Sequence, residues 1–418
     1  MRCEHSFSFW GALVLAAMVL CTMNAAAQTE SVIYSFSGGS DGLFPYSNLI
    51  VDAKGNLYGT TLYGGGEGTC VILTNAFCGS AYELTPVVGG GWQETVLHGF
   101  GNGTDGMYPE AGLVLDKQGN LYGTTAYGGS YGEGVVFKLI PLASGGWQER
   151  VIYNFTGGAD GGVPVAGLIF DNKGNLYGTT SHGGTYQCGD FTCGTVFELS
   201  LVAGKWQETV IHTFTNGSDG ATPLDGLIFD KLGNLYGTAN FGGTFDFGTV
   251  FELSPITGGW QETTLYAFQG ARDGYAPQAG LVFDTKGDLF GTTYGGGPGN
   301  AGEVYELTPA AGVWSKTRIY GFSTQNPRSN VVFGPNGNIY GVVSGGQLST
   351  GYVYDLTPTT SGQWTLNILH TFTGTPDGMW PYTSLIFDKA GNLYGTTYAG
   401  GANPYLTYGA GAVYEVTP

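Results

Sequence analysis

The sequence predicts an all-β fold, a seven-bladed β-propeller whose N-terminal strand completes the C-terminal blade. Three observations lead to this prediction: a tripeptide that recurs seven times, four short β-rich segments in each repeat, and a last repeat that lacks its fourth segment. Repeats of this kind are typical of propellers, in which four-stranded sheets surround a central channel. A β-solenoid is the alternative, although its repeats are usually shorter, around 20 to 30 residues, and need not close on themselves.

The recurring tripeptide is Tyr-Gly-Thr or a close variant, and successive copies are 50 to 64 residues apart. The copies begin at Tyr58, Tyr122, Tyr177, Tyr236, Phe290, Tyr340 and Tyr394. Because this self-similarity extends to the C-terminus, residues 28–418 are predicted to form a single propeller domain. The blades are expected at about 47–100, 111–155, 166–214, 225–268, 279–322, 329–372 and 383–418, the last completed by residues 29–36.

The third repeat displays the four segments most clearly. Residues 166–171, 176–180, 194–199 and 206–214 are rich in β-branched and aromatic residues and are separated by Gly, Asn and Asp turns, with no helical period. Asp171 precedes Gly174 by three residues, a spacing typical of a tight turn in which the Asp accepts backbone N–H bonds. The equivalent residues Asp52, Asp116, Asp230, Asp284 and Asp388 are therefore interpreted as turn residues rather than catalytic ones.

Closure of the ring follows from the two ends of the chain. The fourth segment begins with a tryptophan in six repeats: Trp92, Trp147, Trp206, Trp260, Trp314 and Trp364. The seventh repeat has no such segment after residues 412–416, but residues 30–36 match residues 208–214 position by position. On a regular strand Val32, Tyr34 and Phe36 would share one face, with Ile33 and Ser35 on the other. Pairing the two ends removes two sheet edges that would otherwise promote aggregation.

The N-terminus has the features of a secretory signal peptide over residues 1–27. Arg2 precedes an apolar run from residue 7 to residue 23, and Ala25, Ala26 and Ala27 resemble a cleavage site. The mature protein is therefore expected in the periplasm, at the cell surface or outside the cell, without membrane insertion once the signal is removed.

The cysteines fit an oxidising compartment. Cys70 and Cys78 lie in one long loop and Cys188 and Cys193 in the equivalent loop of the third repeat, so we predict two local disulfides. A zinc site formed by all four cysteines is the alternative. It is disfavoured because the spacings are not C-x-x-C and the two repeats are not adjacent.

The formal net charge of -18 argues against nucleic acid and anionic membranes as partners, since both require clustered Lys and Arg. The sequence contains no zinc-protease, P-loop or EF-hand motif, so we predict no catalytic residue and no cofactor. A monomer is expected.

A second series of aspartates is open to two interpretations. Each of these residues stands in the loop that leaves a fourth segment, a few positions before a proline: Asp41, Asp105, Asp160, Asp219, Asp273 and Asp377. Such residues commonly form turns, but a ring of carboxylates could also bind Ca²⁺ or another divalent cation weakly. His98, His212 and His370 take the place of tyrosines in the fourth segment and are interpreted as packing residues.

Candidate binding residues are sought on the loop face and where the repetition breaks down. Aromatic-type residues follow the second segment, and three further residues are unusual in their loops; the set is Tyr63, Tyr127, His182, Phe241, Arg272, Arg328 and Trp380. They predict a binding module for a protein or a glycan. The alternative is a hydrolase or lyase acting on a carbohydrate or lactone, which would need different polar groups to converge in one pocket.

The motif Asn-Leu-Tyr-Gly-Thr-Thr at residues 175–180, followed by Gly-Thr-Val-Phe-Glu-Leu at residues 194–199, resembles the GloVer tandem-repeat proteins of bacteria. The resemblance covers nearly the whole mature chain and implies an exported, surface-associated repeat protein, with no catalytic residue to carry over. Many of those proteins carry a C-terminal sorting anchor, and this sequence departs from them there. The Asp-x-x-Gly-Asn-Leu-Tyr pattern is also similar to propeller repeats of the NHL type.

Overall fold

The computed structural model describes residues 29–66, 78–101, 104–345, 349–403 and 406–417. These residues form seven antiparallel sheets of four or five strands and one short hairpin. They include no helix, and so none that could cross a membrane. The predicted seven-bladed β-propeller is confirmed. The predicted signal peptide, residues 1–27, lies outside the described residues.

Each blade pairs its strands in the order first, second, third and fourth. The first strands are Ile50–Val51, Val114–Leu115, Ile169–Phe170, Ile228–Phe229, Val282–Phe283, Val332–Phe333 and Ile386–Phe387. The second strands are Leu57–Tyr63, Leu121–Thr125, Leu176–Thr180, Leu235–Ala239, Leu289–Thr293, Ile339–Ser344 and Leu393–Thr397. The third strands are Ser80–Pro86, Val135–Pro141, Thr195–Val202, Thr249–Ile256, Glu303–Ala310, Tyr352–Pro358 and Ala412–Thr417.

The fourth strands, in blade order, are Trp92–Gly99, Trp147–Asn154, Lys205–Thr213, Gly259–Ala267, Val313–Gly321, Trp364–Thr371 and Thr29–Ser35. Two short extra strands, Leu43–Pro45 and Asn326–Pro327, pair with the second strands of blades 1 and 6. Gln187–Cys188 and Phe191–Thr192 form the hairpin, which belongs to a loop of blade 3.

The Tyr-Gly-Thr motif is explained by packing within and between blades. A Cβ on Gly178 would lie 2.7 Å from Cζ of Phe197, so the third-strand ring fits only over a glycine. Thr179 Oγ1 donates a hydrogen bond of 3.2 Å to the carbonyl oxygen of Asp225 in the next blade. The equivalent bond is made by Thr60, Thr124, Thr238 and Thr292, and Thr396 bonds the carbonyl of Pro45, two positions earlier in the next blade. Blade 6 has Val342 at this position and cannot make it.

A second contact between blades involves the glycine that precedes each third strand. Gly194 has φ +88°, and a Cβ there would lie 2.3 Å from the Thr180 carbonyl oxygen and 2.9 Å from Cδ of Pro223 in the next blade. The same glycine-to-proline approach occurs in the pairs Gly79–Pro109, Gly134–Pro164, Gly248–Pro277, Gly302–Pro327, Gly351–Pro381 and Gly411–Pro45. All seven blade interfaces therefore share one close contact of a glycine with a proline ring, which only glycine permits.

The N-terminal strand closes the ring as predicted. Thr29–Ser35 pairs antiparallel with Ala412–Thr417, which excludes the solenoid alternative. The expected alternation along this strand is wrong beyond Val32, because a bulge at Ile33 moves the pairing from Val32 opposite Tyr414 to Tyr34 opposite Val413. Ile33 and Tyr34 consequently pack against the same core cluster. The other six fourth strands have a register shift at the equivalent place.

Removing residues 1–37 is expected to cause aggregation or a much lower melting temperature. The deletion opens the ring and removes the buried Phe36 together with Val32 and Ile33, at about 1.5 to 3 kcal/mol for each fully buried apolar side chain. That loss is comparable to the stability of an ordinary domain. Size-exclusion chromatography and thermal melting would measure it, with a chain beginning at Gln28 as the control. A monomer with an unchanged melting temperature would contradict the importance of closure.

Gly194→Ala is expected to destabilise the protein more than Gly174→Ala. The two glycines have φ +88° and +89°, so both substitutions bear the conformational cost of about 1 to 2 kcal/mol. Gly174 has no heavy atom within 4 Å of a built Cβ, whereas a Cβ at Gly194 would lie 2.3 Å from the Thr180 carbonyl oxygen of its own blade and 2.9 Å from Pro223 Cδ of the next, which adds an overpacking cost of about 1 to 3 kcal/mol. Urea denaturation of both variants measures the difference, and equal losses would show that the crowding around Gly194 is unimportant.

Candidate binding site at the channel mouth

The seven residues that follow the recurring prolines face one cavity at the mouth of the central channel. They are Tyr46, Glu110, Val165, Leu224, Gln278, Arg328 and Tyr382, and the cavity has a volume of about 200 Å³. We call these seven residues the mouth ring. The cavity is also lined by residues one or two positions after a ring residue: Asn48, Gly112, Gly167 and Asp225. Every blade contributes one ring residue, and these range from tyrosine to aliphatic, acidic, amide and basic side chains, so the sevenfold repetition is lost at the mouth.

The backbone that presents the ring is nearly the same in each blade. The residue before the proline has a positive φ at Phe44, Tyr108, Val163, Thr222, Ala276 and Trp380. The amide of each donates a hydrogen bond of 2.8 or 2.9 Å to the preceding blade, as in Thr222 N to Cys193 O. Six of the seven ring side chains are thereby held on a repeated, rigid frame and can vary without disturbing it.

Arg328 lies between two tyrosine rings at the mouth. Its guanidinium carbon is 4.7 Å from the ring centroid of Tyr294 and 5.2 Å from that of Tyr382. Its Nη2 donates to the Tyr294 hydroxyl at 3.3 Å. The stacking fixes the position of the cation by cation–π attraction, and leaves guanidinium N–H groups available to a ligand carboxylate or hydroxyl.

Glu110 is the acidic member of the ring. Burial raises the pKa of its carboxyl to about 7, and no hydrogen bond links that carboxyl to another described residue. Its charge contributes to the raised pKa values of Tyr46, Tyr63 and Tyr127, although burial is the larger cause for each. Glu110 is therefore close to the tyrosines of blades 1 and 2 and can exchange a proton near neutral pH.

Aromatic rings extend from the mouth over blades 7, 1 and 2. Phe44 stacks on Tyr398 with centroids 4.4 Å apart, and Tyr398 lies 6.0 Å from Tyr46 and 5.6 Å from Tyr382. Trp380 is 6.4 Å from Tyr398. The series continues through Tyr63, Tyr108 and Tyr127, with centroid separations of 5.3 and 6.0 Å. We call this group the aromatic arc.

The structure brings together four of the seven residues predicted for binding. Arg328 lines the mouth, and Trp380, Tyr63 and Tyr127 belong to the aromatic arc. The other three do not line the cavity: His182 stacks on Phe191 at 4.8 Å, Phe241 is 51% exposed on its own loop, and Arg272 is exposed. Burial lowers the pKa of His182.

Glu110, Tyr46 and Tyr382 are absent from the sequence-based candidates. Each directly follows a recurring proline, at Pro109, Pro45 and Pro381. Aligning the repeats on that proline and asking which following position varies would have identified the ring.

The second aspartate series is held by its own loops. Asp160 Oδ2 accepts hydrogen bonds from Thr156 N at 2.9 Å and from the Tyr153 hydroxyl at 3.0 Å. In blades with a histidine at the tyrosine position, the imidazole takes its place: His212 Nε2 lies 3.2 Å from Asp219 Oδ2. Asp41, Asp105, Asp273 and Asp377 make equivalent contacts. These histidines contact a loop carboxylate, a more specific role than the packing expected for them.

A glutamate from the next blade approaches most of these aspartates. Burial, with a smaller contribution from the charges of Asp41, Asp105 and Asp160, raises the pKa of Glu94, Glu149 and Glu208 to about 7. Each of the three has a buried Oε1 without a hydrogen-bond partner among the described residues. At one interface the glutamate is replaced by Lys316, which lies 3.2 Å from Asp273 Oδ1.

The disulfide between Cys188 and Cys193 is present, with Cα atoms 5.1 Å apart. It stabilises the hairpin of blade 3 and leaves no thiolate of this pair for the alternative zinc site. The predicted Cys70–Cys78 pairing stays a prediction, because Cys70 lies outside the described residues.

The melting temperature is expected to fall as the pH rises from about 5 to 8. Glu94, Glu149 and Glu208 have folded-state pKa values of about 7 against an ordinary value of 4.5. Between these values the folded state binds more protons than the unfolded state, so its stability decreases with increasing pH. Thermal melting at constant ionic strength measures the slope. Glu208→Gln should flatten it, and a curve that rises over this range would contradict the assignment.

Comparison with solved structures shows the fold alone. A proposed 6-phosphogluconolactonase from Bacteroides fragilis is similar with a TM-score of 0.50 at 15% identity, covering 82% of this chain and 94% of that one. A protein from Lactobacillus plantarum has a TM-score of 0.48 at 16% identity, covering 79% and 87%. A proposed 6-phosphogluconolactonase from Bacteroides uniformis has a TM-score of 0.48 at 14% identity, and the match covers 78% of this chain and 84% of that one.

None of the curated proteins matches this sequence. The sequence model of the Gloeobacter/Verrucomicrobia repeat, in contrast, matches residues 18–192 and 185–408. The matched ranges include all seven copies of the Tyr-Gly-Thr motif, whose glycine and threonine make the contacts described above. The chain therefore belongs to the Gloeobacter/Verrucomicrobia repeat family.

Proposed function

We propose that the protein is an exported carbohydrate-binding propeller whose ligand lies at the channel mouth. The observation that carries the proposal is the convergence of tyrosine rings, a cation and an acid on the mouth ring, where the blades cease to be alike. Half-buried aromatic faces suit the C–H faces of a sugar ring. Glu110, Gln278 and Arg328 supply hydrogen-bond acceptors and donors for hydroxyl groups.

The uneven composition of the ring supports a defined orientation for such a ligand. Val165 and Leu224 make the side formed by blades 3 and 4 apolar, whereas Tyr46, Tyr382 and Arg328 make the side formed by blades 1, 7 and 6 aromatic and polar. An apolar wall opposite fixed polar groups would hold a ligand in one orientation. The aromatic arc adjoining Tyr46 offers further contact area, so an oligosaccharide extending over blades 7 and 1 fits better than a single sugar.

Export is supported by the disulfide at Cys188–Cys193, since such bonds persist in oxidising compartments. The signal-like N-terminal residues support the same location.

A glycan array probed with the mature protein tests the proposal directly. The oligosaccharides that bind would then be measured by calorimetry against Tyr382→Ala and Tyr46→Ala, each expected to weaken binding by at least an order of magnitude. Leu232→Ala is the control, because Leu232 is 83% exposed in the turn between the first two strands of blade 4 and does not line the cavity. Absence of any glycan binding, or binding unaffected by both tyrosine variants, would refute the proposal.

The second candidate function, a hydrolase or lyase acting on a carbohydrate or lactone, is favoured specifically by Glu110. A carboxyl with a pKa of about 7 and no hydrogen-bond partner among the described residues suits general acid–base catalysis at neutral pH. Arg328, held in the same cavity, is a suitable group to stabilise a developing oxyanion.

Glu110→Gln separates the two candidate functions. If the protein is an enzyme, this variant should lose turnover of a lactone and glycoside panel by about two to four orders of magnitude while the ligand still binds. If the wild type turns over no member of the panel but binds a glycan at the mouth, the binding function stands alone.

A further inference from the structure

Three potential metal ligands meet where the closing strand contacts blade 6. Glu30 lies on the closing strand, His370 on the fourth strand of blade 6, and Asp377 in the loop that leaves this strand. His370 Nε2 is 3.2 Å from each carboxylate oxygen of Asp377 and 3.8 Å from Glu30 Oε2. One ligand atom from each residue lies within 4.8 Å of the other two, and no other such group occurs among the described residues.

These separations suit a transition-metal ion. In a tetrahedral zinc site with bonds of about 2.0 to 2.1 Å, neighbouring ligand atoms are about 3.3 Å apart. The distances of 3.2 and 3.8 Å lie close to this value, so only small side-chain movements are needed. The side chains of Glu30, Asp377 and His370 are 12%, 15% and 20% exposed, which leaves access for an ion and room for water as a fourth ligand.

Glu30 retains an acceptor that nothing in its surroundings satisfies. Its Oε1 is shielded from solvent and has no hydrogen-bond partner among the described residues. Two carboxylates and one imidazole in a largely buried site require a proton or a cation to balance their charge. A bound ion would engage Glu30 and neutralise the pair.

Two other blade interfaces have the same residue types without forming such a group. Equivalent positions are occupied by the trio His98, Asp105 and Glu149 and by the trio His212, Asp219 and Glu262. Neither trio brings its ligand atoms as close together. In the second trio, Glu262 Oε1 accepts a hydrogen bond of 3.0 Å from Thr264. The closing strand has Val32 at the position of Thr264, so no hydroxyl competes for Glu30.

We propose that Glu30, His370 and Asp377 bind Zn²⁺, which fastens the closing strand to blade 6. Zinc is preferred over Ca²⁺ because one imidazole nitrogen and two carboxylate oxygens suit it, whereas Ca²⁺ requires six to eight oxygen ligands. Of the six aspartates that the sequence left open between a turn role and weak cation binding, this site includes only Asp377. Because the ligands come from both sides of the closure, the ion stabilises the closed ring.

The test uses the mature protein, residues 28–418, stripped of metal with EDTA. Calorimetry with ZnCl2 should give one site per chain, and Zn²⁺ should raise the melting temperature while Ca²⁺ leaves it unchanged. His370→Tyr should abolish both effects of Zn²⁺. Tyrosine occupies the equivalent position at Tyr34, Tyr153 and Tyr266, where its hydroxyl bonds the loop aspartate, so this variant should fold.

His212→Tyr is the matched control and should bind Zn²⁺ like the wild type. Glu30→Gln provides a second disruption that leaves the His370–Asp377 contact intact, and it should weaken binding by more than an order of magnitude. Co²⁺ in place of Zn²⁺ gives a direct readout, because tetrahedral Co²⁺ absorbs visible light. Its absorption bands should appear in the wild type and be absent in His370→Tyr. No Zn²⁺ binding, binding that survives His370→Tyr, or an equal response to Ca²⁺ would overturn the proposal.

Discussion

The close approach of each blade to the next is the constraint on which the rest of the structure depends. At all seven interfaces the glycine before a third strand lies against a proline of the following blade, as Gly194 does against Pro223. At six of them a threonine such as Thr179 also donates to a carbonyl of that blade. Because glycine alone permits the contact and the proline ring that meets it is rigid, the spacing between blades is set by a glycine and a proline ring rather than by variable side chains. Side chains elsewhere in the loops are then free to differ.

Because the blade contacts are conserved from blade to blade while loop side chains vary, ligand-binding groups can arise at the variable positions. In six of the seven blades the loop that enters the blade repeats its positive φ and its hydrogen bond to the preceding blade, and in all seven the residue after the proline is carried to the channel mouth. Tyr382, Tyr46, Glu110 and Arg328 occupy that position in different blades, so one cavity combines aromatic, acidic and basic groups. A repeated scaffold can thus form an asymmetric site with changes at single positions, at little cost to folding.

The sequence predicted the fold better than the site, for physical reasons. The period, the four segments and the matching ends are local patterns, and they were sufficient for the propeller and its closure. The bulge at Ile33 was missed because a one-residue shift leaves the composition of a strand unchanged. Glu110 was missed because its importance comes from burial among residues of other blades, which raises its pKa to about 7. The disulfide of Cys188 with Cys193 was predictable because both residues lie in one short loop.

Where one residue departs from the repeat, a neighbouring residue that contacts it departs as well. This holds both at the outer blade interfaces and at the mouth. Lys316 stands where most blades have a glutamate opposite a loop aspartate, and it forms ion pairs with both Asp273 and the fully buried Glu303. A buried carboxylate such as Glu303 would be strongly destabilising without that partner, so the two departures belong together. Arg328 likewise departs together with the ring of Tyr294 that stacks on it. Charged groups that break the repetition are therefore matched to a specific neighbour, whereas Glu110 has no hydrogen-bond partner among the described residues, and for this reason we interpret it as a group that awaits a ligand.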